Sequence, residues 1–499
     1  MLNMQFFRRL LVAGVLLLVV MVMEACQGLS SANNTSNLAA GRSPALPATG
    51  ILAPGFYVAT NGDDKNPGTL SHPFATLGKA QQAMRASSSV KTTYIRAGTY
   101  KPEPVTASCL NGKGSGASVE LTRADKGETW SLYPPDGYNS AILDGQSTVG
   151  NSGGTGGNGT GCGFSGNTLS NITIVGLQFE NYLYSAFWVD NGSNLAFTSN
   201  VVHNLTAAAW DTGAVAMACA PGTLVKYNYM YNLAYTGMVL LAGSPCPGGI
   251  SNDVVSGNII ENSCTWPAVP GFGNDQNGGD CGVIYFHDKL RSSTNVKVVN
   301  NYIRDVNISS NGAGDSGNCC AIGVYLDDGT GNVTVTGNII AGIMSSCFEM
   351  SDPENNVITG NICDLAADPG SRSIVIYTWG QRTFNTMTGN VFANNIVISA
   401  STGSGAGFAG SAQTADPMKI SDNTYYNYVG SSIKTTGTVA VGSDTHPVYE
   451  NPQLSGWTYQ IATGSPVFNS PVKFPEIAGA WGPPGFVVPR HGTPPSSPH

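Results

Sequence analysis

The chain has 499 residues, of which 11% are charged and 63 are glycine, and its formal net charge is −8. This composition is too apolar for a disordered chain and too rich in glycine for a mainly helical enzyme. The sequence has no basic stripe with interleaved aromatic residues, so we expect no nucleic-acid partner. Val, Ile, Thr, Asn and Gly dominate instead, which favours many short strands joined by tight turns.

The N-terminus reads as a targeting signal. Arg8 and Arg9 precede an apolar run over residues 10–23, which has the length of a signal peptide and is short for a membrane span. A small residue then precedes Cys26, so residues 1–26 resemble a bacterial lipoprotein signal with Cys26 as the lipidated residue. We therefore expect an extracytoplasmic protein whose lipid anchors it to the membrane of the cell envelope, with simple secretion as the alternative. Residues 27–54 read as a flexible tether.

The cysteines indicate disulfides. Of 11 cysteines, ten remain after Cys26, and an even number in an exported chain favours pairing. The pairing cannot be read from the sequence as a whole, but a bond between Cys264 and Cys281 would close the insertion between them. A cysteine metal site is disfavoured because no Cys-x-x-Cys spacing occurs.

The N-terminal region of the mature chain differs from the rest. Short apolar segments lie on both sides of an amphipathic stretch from Thr76 to Arg85. This stretch predicts a helix that caps the open end of a stacked structure.

From Asn171 onward the chain repeats a unit of two or three short strands with an asparagine at one corner. The spacing from Asn338 to Asn361 is 23 residues, and longer intervals contain obvious loops. A period of this length predicts a solenoid whose coils bury their apolar side chains against one another. The corner residues are interpreted as scaffold, because Gly and Asn adopt left-handed backbone angles at low cost. We assign this corner to Asn200, Asn228, Asn258, Asn301, Asn338, Asn361, Asn390 and Asn423.

The N-terminal region, the repeats and a Gly464-Ser465-Pro466 segment together resemble the pectate-lyase-like superfamily over roughly residues 55–485. The resemblance implies an all-β chain, a single right-handed parallel β-helix solenoid with a short N-terminal capping helix. It also implies work on a carbohydrate polymer, although lyases, hydrolases, epimerases and tailspikes share the fold. Residues 486–499 are expected to form a disordered tail.

Candidate catalytic residues lie where one strand of each coil is aligned with the next. Strand side chains alternate between faces, so the apolar Val324, Leu326, Phe348 and Met350 should point inward. The alternation then predicts one outward cluster on three consecutive coils, made of Tyr285, His287, Asp288, Tyr325, Asp327, Asp328, Glu349 and Asp352. Crowded like charges cost stability, so such a cluster indicates a site.

Asp327 and Glu349 are the predicted catalytic pair. Their backbones should lie roughly 8 Å apart and their carboxyls about 5 to 9 Å apart, the range that glycoside hydrolysis uses. Glu349 is assigned the acid, since Asp327 could stay ionised if it is hydrogen-bonded, with Asp288, Asp328 and His287 in supporting roles. The pair resembles the arrangement in β-helical glycoside hydrolases such as the β-xylosidases of this fold. Two readings stay open beside it, ordinary turn residues and a Ca²⁺ site.

Substrate contacts are assigned to the aromatic and polar residues in or beside the aligned strands. These are Tyr285, Tyr325, Trp188, Trp379, Asp190 and Arg382, with Trp210 and Trp266 in loops that could form the wall of a groove. The function expected is glycoside hydrolysis of a polysaccharide or oligosaccharide, with no cofactor required. A uronate lyase ranks second, because its candidate cations Lys289, Arg291, Arg304, Arg372 and Arg382 are not clearly outward on adjacent coils. A non-catalytic binding or adhesive solenoid is the third reading.

Overall fold

The computed structural model shows three parallel sheets that wind around one core. It describes residues 52–104, 109, 116–147, 159–207, 212–243, 246, 249–265, 281–306, 321–366, 374–379, 388–399, 407–411, 418–427, 444–456, 459–469 and 481–483. In each complete coil the chain passes from the first sheet to the second and then to the third, and each strand pairs in parallel with its counterparts one coil away. The predicted parallel β-helix is therefore confirmed.

The strands of the three sheets are given in chain order. The first sheet has Phe56–Val58, Thr92–Ile95, Thr129–Leu132, Thr173–Val175, Ala196–Thr198, Leu224–Lys226, Val254–Ser256, Val296–Val299, Val333–Thr336, Val357–Thr359, Val391–Ala393 and Lys419–Ser421. The second has Gly98–Tyr100, Ala141–Asp144, Gln178–Glu180, Val201–Leu205, Tyr229–Leu233, Ile259–Glu261, Tyr302–Val306, Ile339–Ile343, Ile362–Asp364, Ile396–Ser399 and Thr424–Asn427. The third has Ala117–Leu121, Cys162–Ser170, Ser185–Ser193, Gly213–Ala218, Thr236–Ala242, Cys281–Asp288, Ala321–Asp327, Ser346–Ser351, Ile374–Trp379 and Gly407–Ser411.

A ladder of buried asparagines runs along the corner between the first and second sheets. In each step the side-chain Oδ1 of one asparagine accepts hydrogen bonds from the asparagine of the preceding coil. At Asn301, for example, Oδ1 accepts from the backbone N of Asn258 at 3.1 Å and from its Nδ2 at 2.9 Å. Beyond Asn423 the ladder ends on the carboxylate of Asp444, which accepts from the Nδ2 of Asn423 at 2.8 Å. The predicted scaffold role of these residues is confirmed.

One member of the predicted ladder is wrong. The side chain of Asn361 donates to Asn395, which in turn donates to Asn423, so Asn395 takes the place assigned to Asn390. Asn390 instead accepts a hydrogen bond from the backbone N of Asn356 at a different corner, just before the first-sheet strand Val391–Ala393. The reason is that Asn394, with a φ of 59°, supplies the left-handed residue that Gly360 supplies one coil earlier. The Gly-Asn dipeptide at residues 389–390 therefore marks another turn.

The N-terminal helix is present as Leu77–Ala86, within one residue of the predicted bounds. The Thr76 side chain accepts a hydrogen bond from the Lys79 backbone N and caps the helix start. Leu77 and Met84 are buried and belong to the same apolar core as the strands. Whether this helix closes the end of the solenoid stays a prediction.

The remaining described elements are short. They are the 3-10 helices Arg123–Asp125, Pro134–Asp136 and Pro466–Asn469 and an antiparallel pair of strands, Leu454–Ser455 and Gln460–Ile461. The C-terminal segment packs on the outer face of the second sheet, where Tyr459 and Trp481 contact the ring of Tyr302. No helix among the described residues is long and apolar enough to cross a membrane.

Four disulfides are found among the described residues, namely Cys109–Cys162, Cys219–Cys246, Cys264–Cys281 and Cys347–Cys363. The predicted pair Cys264–Cys281 is confirmed. Cys319, Cys320 and the proposed lipidation residue Cys26 lie outside the described part of the chain. Disulfides on this scale indicate an oxidising, extracytoplasmic compartment.

Glu128 is a fully buried carboxyl between the third and first sheets, and this position predicts a pH-dependent stability. Burial, reinforced by the nearby Asp125, raises the pKa of Glu128 to about 9. The folded chain therefore binds a proton that the unfolded chain releases once the pH passes the ordinary glutamate pKa, so stability falls as pH rises from about 4.5 to about 9. Glu128→Gln should raise the free energy of unfolding by about 1–3 kcal/mol near pH 7 and change it little near pH 4.

Urea unfolding of Glu128→Gln at both pH values checks this expectation. Glu120→Gln is the matched control, because Glu120 lies nearby on an exposed strand position. Equal gains at the two pH values would show that the carboxyl is not protonated in the folded chain.

Candidate active site on the outer face of the third sheet

Three adjacent strands of the third sheet, Cys281–Asp288, Ala321–Asp327 and Ser346–Ser351, carry most of the predicted catalytic residues. Their inward side chains, Phe286, Leu326 and Met350, belong to the apolar core. Tyr325 pairs in register with Tyr285 on one side and Glu349 on the other, and His287 pairs with Asp327. The strand alternation and alignment are thus as predicted, and Asp327 lies diagonally across from Glu349.

Asp327 is a buried carboxylate whose two oxygens both accept hydrogen bonds. The Tyr285 hydroxyl donates to Oδ2 at 2.7 Å, and the backbone N of Asp328 donates to Oδ1 at 2.7 Å. Burial raises the pKa of Asp327 above its usual value, and the bond from Tyr285 acts against this rise. Burial and the hydrogen bond from Tyr285 therefore act on the pKa of Asp327 in opposite directions, and the effect of burial is the larger.

Glu349 is also nearly buried, with 7% of its surface exposed. Beyond it on the same strand, Ser351 is the next residue of the outward series. The Ser351 hydroxyl is buried and has no hydrogen-bond partner among the described residues. A polar atom left in this state costs free energy unless water or a ligand meets it.

His287 and Asp328 form an ion pair at the end of these strands. The distance from His287 Nε2 to Asp328 Oδ2 is 2.5 Å, and Lys289 Nζ lies 3.5 Å from the same oxygen. Asp328 has a φ of 48°, so it sits in the turn that follows its strand. Lys289, one of the candidate lyase cations, therefore lies beside a carboxylate of this chain.

Asp288 has the contacts of a turn residue. Its buried carboxylate accepts hydrogen bonds from the backbone N of Leu290, the hydroxyl of Ser292 and the backbone N of Ser293. These contacts lie within five residues of Asp288 and hold the loop after the strand. The structure brings His287, Asp327 and Asp328 together as one close group, and Asp288 is not part of it.

The aromatic residues assigned to substrate contact divide into two groups. Tyr285 and Tyr325 stack on each other at 5.0 Å between ring centroids and are 6% and 0% exposed, so neither presents an open ring face. Trp188 is partly exposed and lies in the same column as Tyr285, three strands away, or about 14 Å. Asp190 lies in the same column as His287, also three strands away, and accepts a hydrogen bond from Asn167 at 3.2 Å.

Several predicted residues cannot be placed in the site. Trp379 ends a described strand as the register partner of Ser351, and its side chain is outside the described part. Arg382, Arg372, Trp210 and Trp266 lie outside the described residues altogether. Arg304, a candidate lyase cation, lies on the second sheet and is bound to Glu261 there, so its expected place near this face is wrong. Arg291 lies 3.8 Å from Glu354.

The group of His287, Asp327 and Asp328 offers one nitrogen and two carboxylate oxygens within 4.8 Å of one another. Calcium prefers a shell of six to eight oxygens, so a histidine nitrogen in the group fits it poorly. The hydrogen bonds of Asp327 and the ion pair of Asp328 already account for these atoms. Contacts among the chain's own groups therefore account for the close approach of His287, Asp327 and Asp328.

Comparison with solved structures supports the fold assignment. The structure is similar to a lacto-N-biosidase of family GH136 from Eubacterium ramulus, with 11% identity, coverage of 79% of this chain and 67% of that chain, and a TM-score of 0.51. The resemblance to the β-helix proteins is confirmed. An XylC structure with xylose covers 80% of this chain and 87% of its own at 10% identity, with a TM-score of 0.48. The sequence matches no protein-family model, and no curated protein is significantly similar to it.

Proposed function

We propose that this protein is a glycoside hydrolase that cleaves a polysaccharide or oligosaccharide with Asp327 and Glu349. The observation that supports the proposal is a pair of nearly buried carboxylates on adjacent strands, two residues apart in register, on the outer face of the third sheet. That diagonal corresponds to a backbone separation of roughly 8 Å. Glycoside hydrolases use two carboxyl groups at comparable separations.

In the proposed reaction, Glu349 donates its proton to the oxygen of the scissile bond as that bond breaks. Ionised Asp327 either removes a proton from water as that water attacks the anomeric carbon, or attacks the carbon itself and forms a glycosyl ester. A water that loses its proton to Glu349 then hydrolyses the ester, so either route adds one water across the broken bond. The hydrogen bonds from Tyr285 and from the Asp328 backbone favour the ionised form of Asp327 against the effect of burial. His287, with Asp328, would orient sugar hydroxyls beside the pair.

The substrate is proposed to extend along the third sheet. Trp188 and Asp190 lie in the same outward columns as Tyr285 and His287, about 14 Å away. This distance suits contact with sugars several units from the cleaved bond. Trp379, whose strand pairs with Ser346–Ser351, remains a proposed contact on the other side of the pair, and Arg382, outside the described residues, stays a proposed contact without a place.

A polysaccharide lyase is the second candidate, because Lys289 stands beside the His287, Asp327 and Asp328 group. A panel of soluble plant, algal and bacterial polysaccharides separates the candidates. New reducing ends without a rise in ultraviolet absorbance support hydrolysis, whereas an absorbing unsaturated product identifies a lyase. Binding without any product would support the non-catalytic solenoid. EDTA should leave hydrolysis unchanged, and a loss that Ca²⁺ restores would revive the calcium alternative.

Tyr285→Phe should shift the pH dependence of the reaction. The hydroxyl of Tyr285 lowers the pKa of Asp327, so its removal raises that pKa further. Asp327 then ionises only at higher pH. The acid limb of the kcat/KM profile should therefore shift to higher pH by up to about one unit. Phenylalanine keeps the ring that stacks on Tyr325. Tyr184→Phe is the control, because Tyr184 lies outside the group of His287, Asp327 and Asp328. If the acid limb of the Tyr285→Phe profile does not move, Asp327 is not the ionised catalytic residue.

We also propose that the protein is anchored to the membrane of the cell envelope by lipid on Cys26. The support is the apolar run before Cys26 and the tether after it. Cys26→Ser should release the protein from the membrane fraction without changing its activity. A wild-type protein that is already fully in the soluble fraction would reject the anchor and leave simple secretion.

A further inference from the structure

A second group of polar and aromatic side chains lies on the outer face of the second sheet. Glu180, His203 and Tyr231 occupy one column on three adjacent strands, because they pair in register from coil to coil. Their neighbours Phe179, Val202 and Met230 point into the core. Together with Gln178, these outward residues form what we call the second-sheet ledge, made of Gln178, Glu180, His203 and Tyr231.

The ledge is a connected polar network beside an aromatic stack. The Nε2 of His203 lies 3.2 Å from Glu180 Oε2 and 3.0 Å from Gln178 Nε2, while Gln178 Nε2 donates to Glu180 Oε2 at 3.0 Å. The His203 ring stacks on Tyr231 with centroids 4.7 Å apart. Glu180, Gln178 and Tyr231 are partly exposed, so the network is open to solvent along one edge.

One ring nitrogen of His203 is poorly bonded in this network. The residue is 8% exposed, and its buried Nδ1 makes no well-aligned hydrogen bond among the described residues, while the side chain of the adjacent Asn204 interacts with the ring and acts to raise its pKa. Burial lowers the pKa of His203, which favours the neutral ring. The poorly aligned contact at Nδ1 leaves the His203 ring held mainly by Glu180, Gln178 and Tyr231, so a ligand that binds these side chains changes the environment of the ring.

Further along the same face, the C-terminal segment of the chain itself provides a hydroxyl group that bonds to an outward side chain of this sheet. The Tyr459 hydroxyl donates to Asp364 at 2.7 Å, and Asp364 belongs to the same column as Tyr231. Trp481 packs its ring on Tyr302 at 5.3 Å. The described cover ends near Gly482, which bonds to Gly257. Beyond that point, toward the N-terminus, lies the ledge, whose column continues from Glu180 to Asp144, and Lys101 Nζ lies 3.6 Å from Asp144.

The charges of the column favour a neutral ligand. Glu180 and Glu261 lie in it, and its cation Arg304 donates to Glu261 Oε2 at 2.6 Å. An anionic sugar would meet the carboxylates of Glu180 and of its register neighbour Asp144, where the nearby cation, Lys101, lies 3.6 Å from Asp144. Hydroxyl groups both donate and accept, so they can bond at once to the partly exposed side chains of Glu180 and Gln178.

We propose that the second-sheet ledge is a binding site for sugar units of a neutral glycan, on a different face from Asp327 and Glu349. Because it lies on another sheet, this site does not rest on the proposed hydrolysis. It would hold one stretch of the glycan on the protein while another stretch of the same glycan is cleaved.

The test uses the full chain carrying Glu349→Gln, which keeps any substrate intact. Affinity gel electrophoresis measures retardation by xylan and by galactomannan, with polygalacturonate as the anionic comparison. Gln178→Leu combined with Glu180→Gln should weaken the neutral-polymer affinity about 10-fold, whereas Thr359→Leu on the first sheet should leave it unchanged. Melting temperatures confirm that each variant is folded. The imidazole NMR signal of His203, assigned with His203→Gln, should move when xylo-oligosaccharide or manno-oligosaccharide is added.

Three binding results would overturn the proposal, and a fourth result, given last, would assign the ledge another occupant. They are retardation that the double variant leaves unchanged, no retardation by either neutral polymer, and a His203 signal that neither oligosaccharide moves. If retardation requires truncation after Pro483, the C-terminal tail and not a glycan occupies the ledge, and the proposal is likewise rejected.

Discussion

Replacing Asp327 with asparagine or Glu349 with glutamine is expected to lower glycan hydrolysis at least ~100-fold. Each amide keeps the shape of the carboxyl but removes the proton chemistry. In Asp327→Asn the Tyr285 hydroxyl still has an acceptor oxygen, so the stack of Tyr285 on Tyr325 should persist. The loss should therefore appear in kcat, with substrate affinity largely retained.

The matched control for Glu349→Gln is Glu120→Gln. Glu120 stands in the same outward column of the third sheet, seven strands toward the N-terminus, and is exposed. It should keep wild-type activity. Activity near the wild-type level in both amide variants at positions 327 and 349 would reject the pair, and a loss in Glu120→Gln as large as in Glu349→Gln would show that the assay reports general damage.

Asn301→Ala is expected to cause a large loss of stability, about 3–5 kcal/mol in the free energy of unfolding. Asn301 is fully buried in the middle of the ladder. Its Oδ1 accepts from the backbone and side chain of Asn258, and its Nδ2 donates to the Val255 carbonyl at 3.0 Å and to Asn338 at 2.9 Å. Alanine removes all four of these bonds, which leaves the buried backbone N of Asn258 without its side-chain acceptor, while Asn258 Nδ2 keeps the Val225 carbonyl and Asn338 Oδ1 keeps the backbone N of residue 301.

Denaturant unfolding of Asn301→Ala measures this loss, with Asn167→Ala as the control. Asn167 is an exposed asparagine on a strand of the third sheet, and its removal should cost at most ~0.5 kcal/mol. Equal, small losses of unfolding free energy in the two variants would mean that the hydrogen bonds of the ladder contribute little to stability.

Most of the fold could be predicted from the sequence because each coil repeats the same local signal. A glycine with a left-handed backbone, followed by a buried asparagine, marks the corner at Gly337-Asn338 and Gly360-Asn361. The signal failed at Asn390, where the same dipeptide forms another turn, and was missed at Asn395, where Asn394 replaces the glycine. Left-handed asparagine and glycine are interchangeable in backbone terms, so the dipeptide alone cannot distinguish the two corners.

The site was only partly predictable. Strand alternation gave the outward positions of Tyr285, Asp327 and Glu349, since the apolar residues between them must face the core. The sequence could not reveal that Tyr285 donates to Asp327 or that Lys289 lies beside Asp328, because these contacts depend on side-chain directions across coils. For the same reason the sequence did not show that Asp288 accepts hydrogen bonds within its own loop, such as the one from the Ser292 hydroxyl.

The central claim, that this face of the third sheet hydrolyses glycosidic bonds, is tested most directly by cleavage in ¹⁸O-labelled water. Products of a polysaccharide from the panel are analysed by mass spectrometry immediately after mixing, with uncleaved oligosaccharide as the control for exchange. We predict one ¹⁸O atom in each cleavage event with the wild-type chain and no products with Glu349→Gln. Products that carry no ¹⁸O and have lost the elements of water, or labelled products formed at the wild-type rate by Glu349→Gln, would contradict the account.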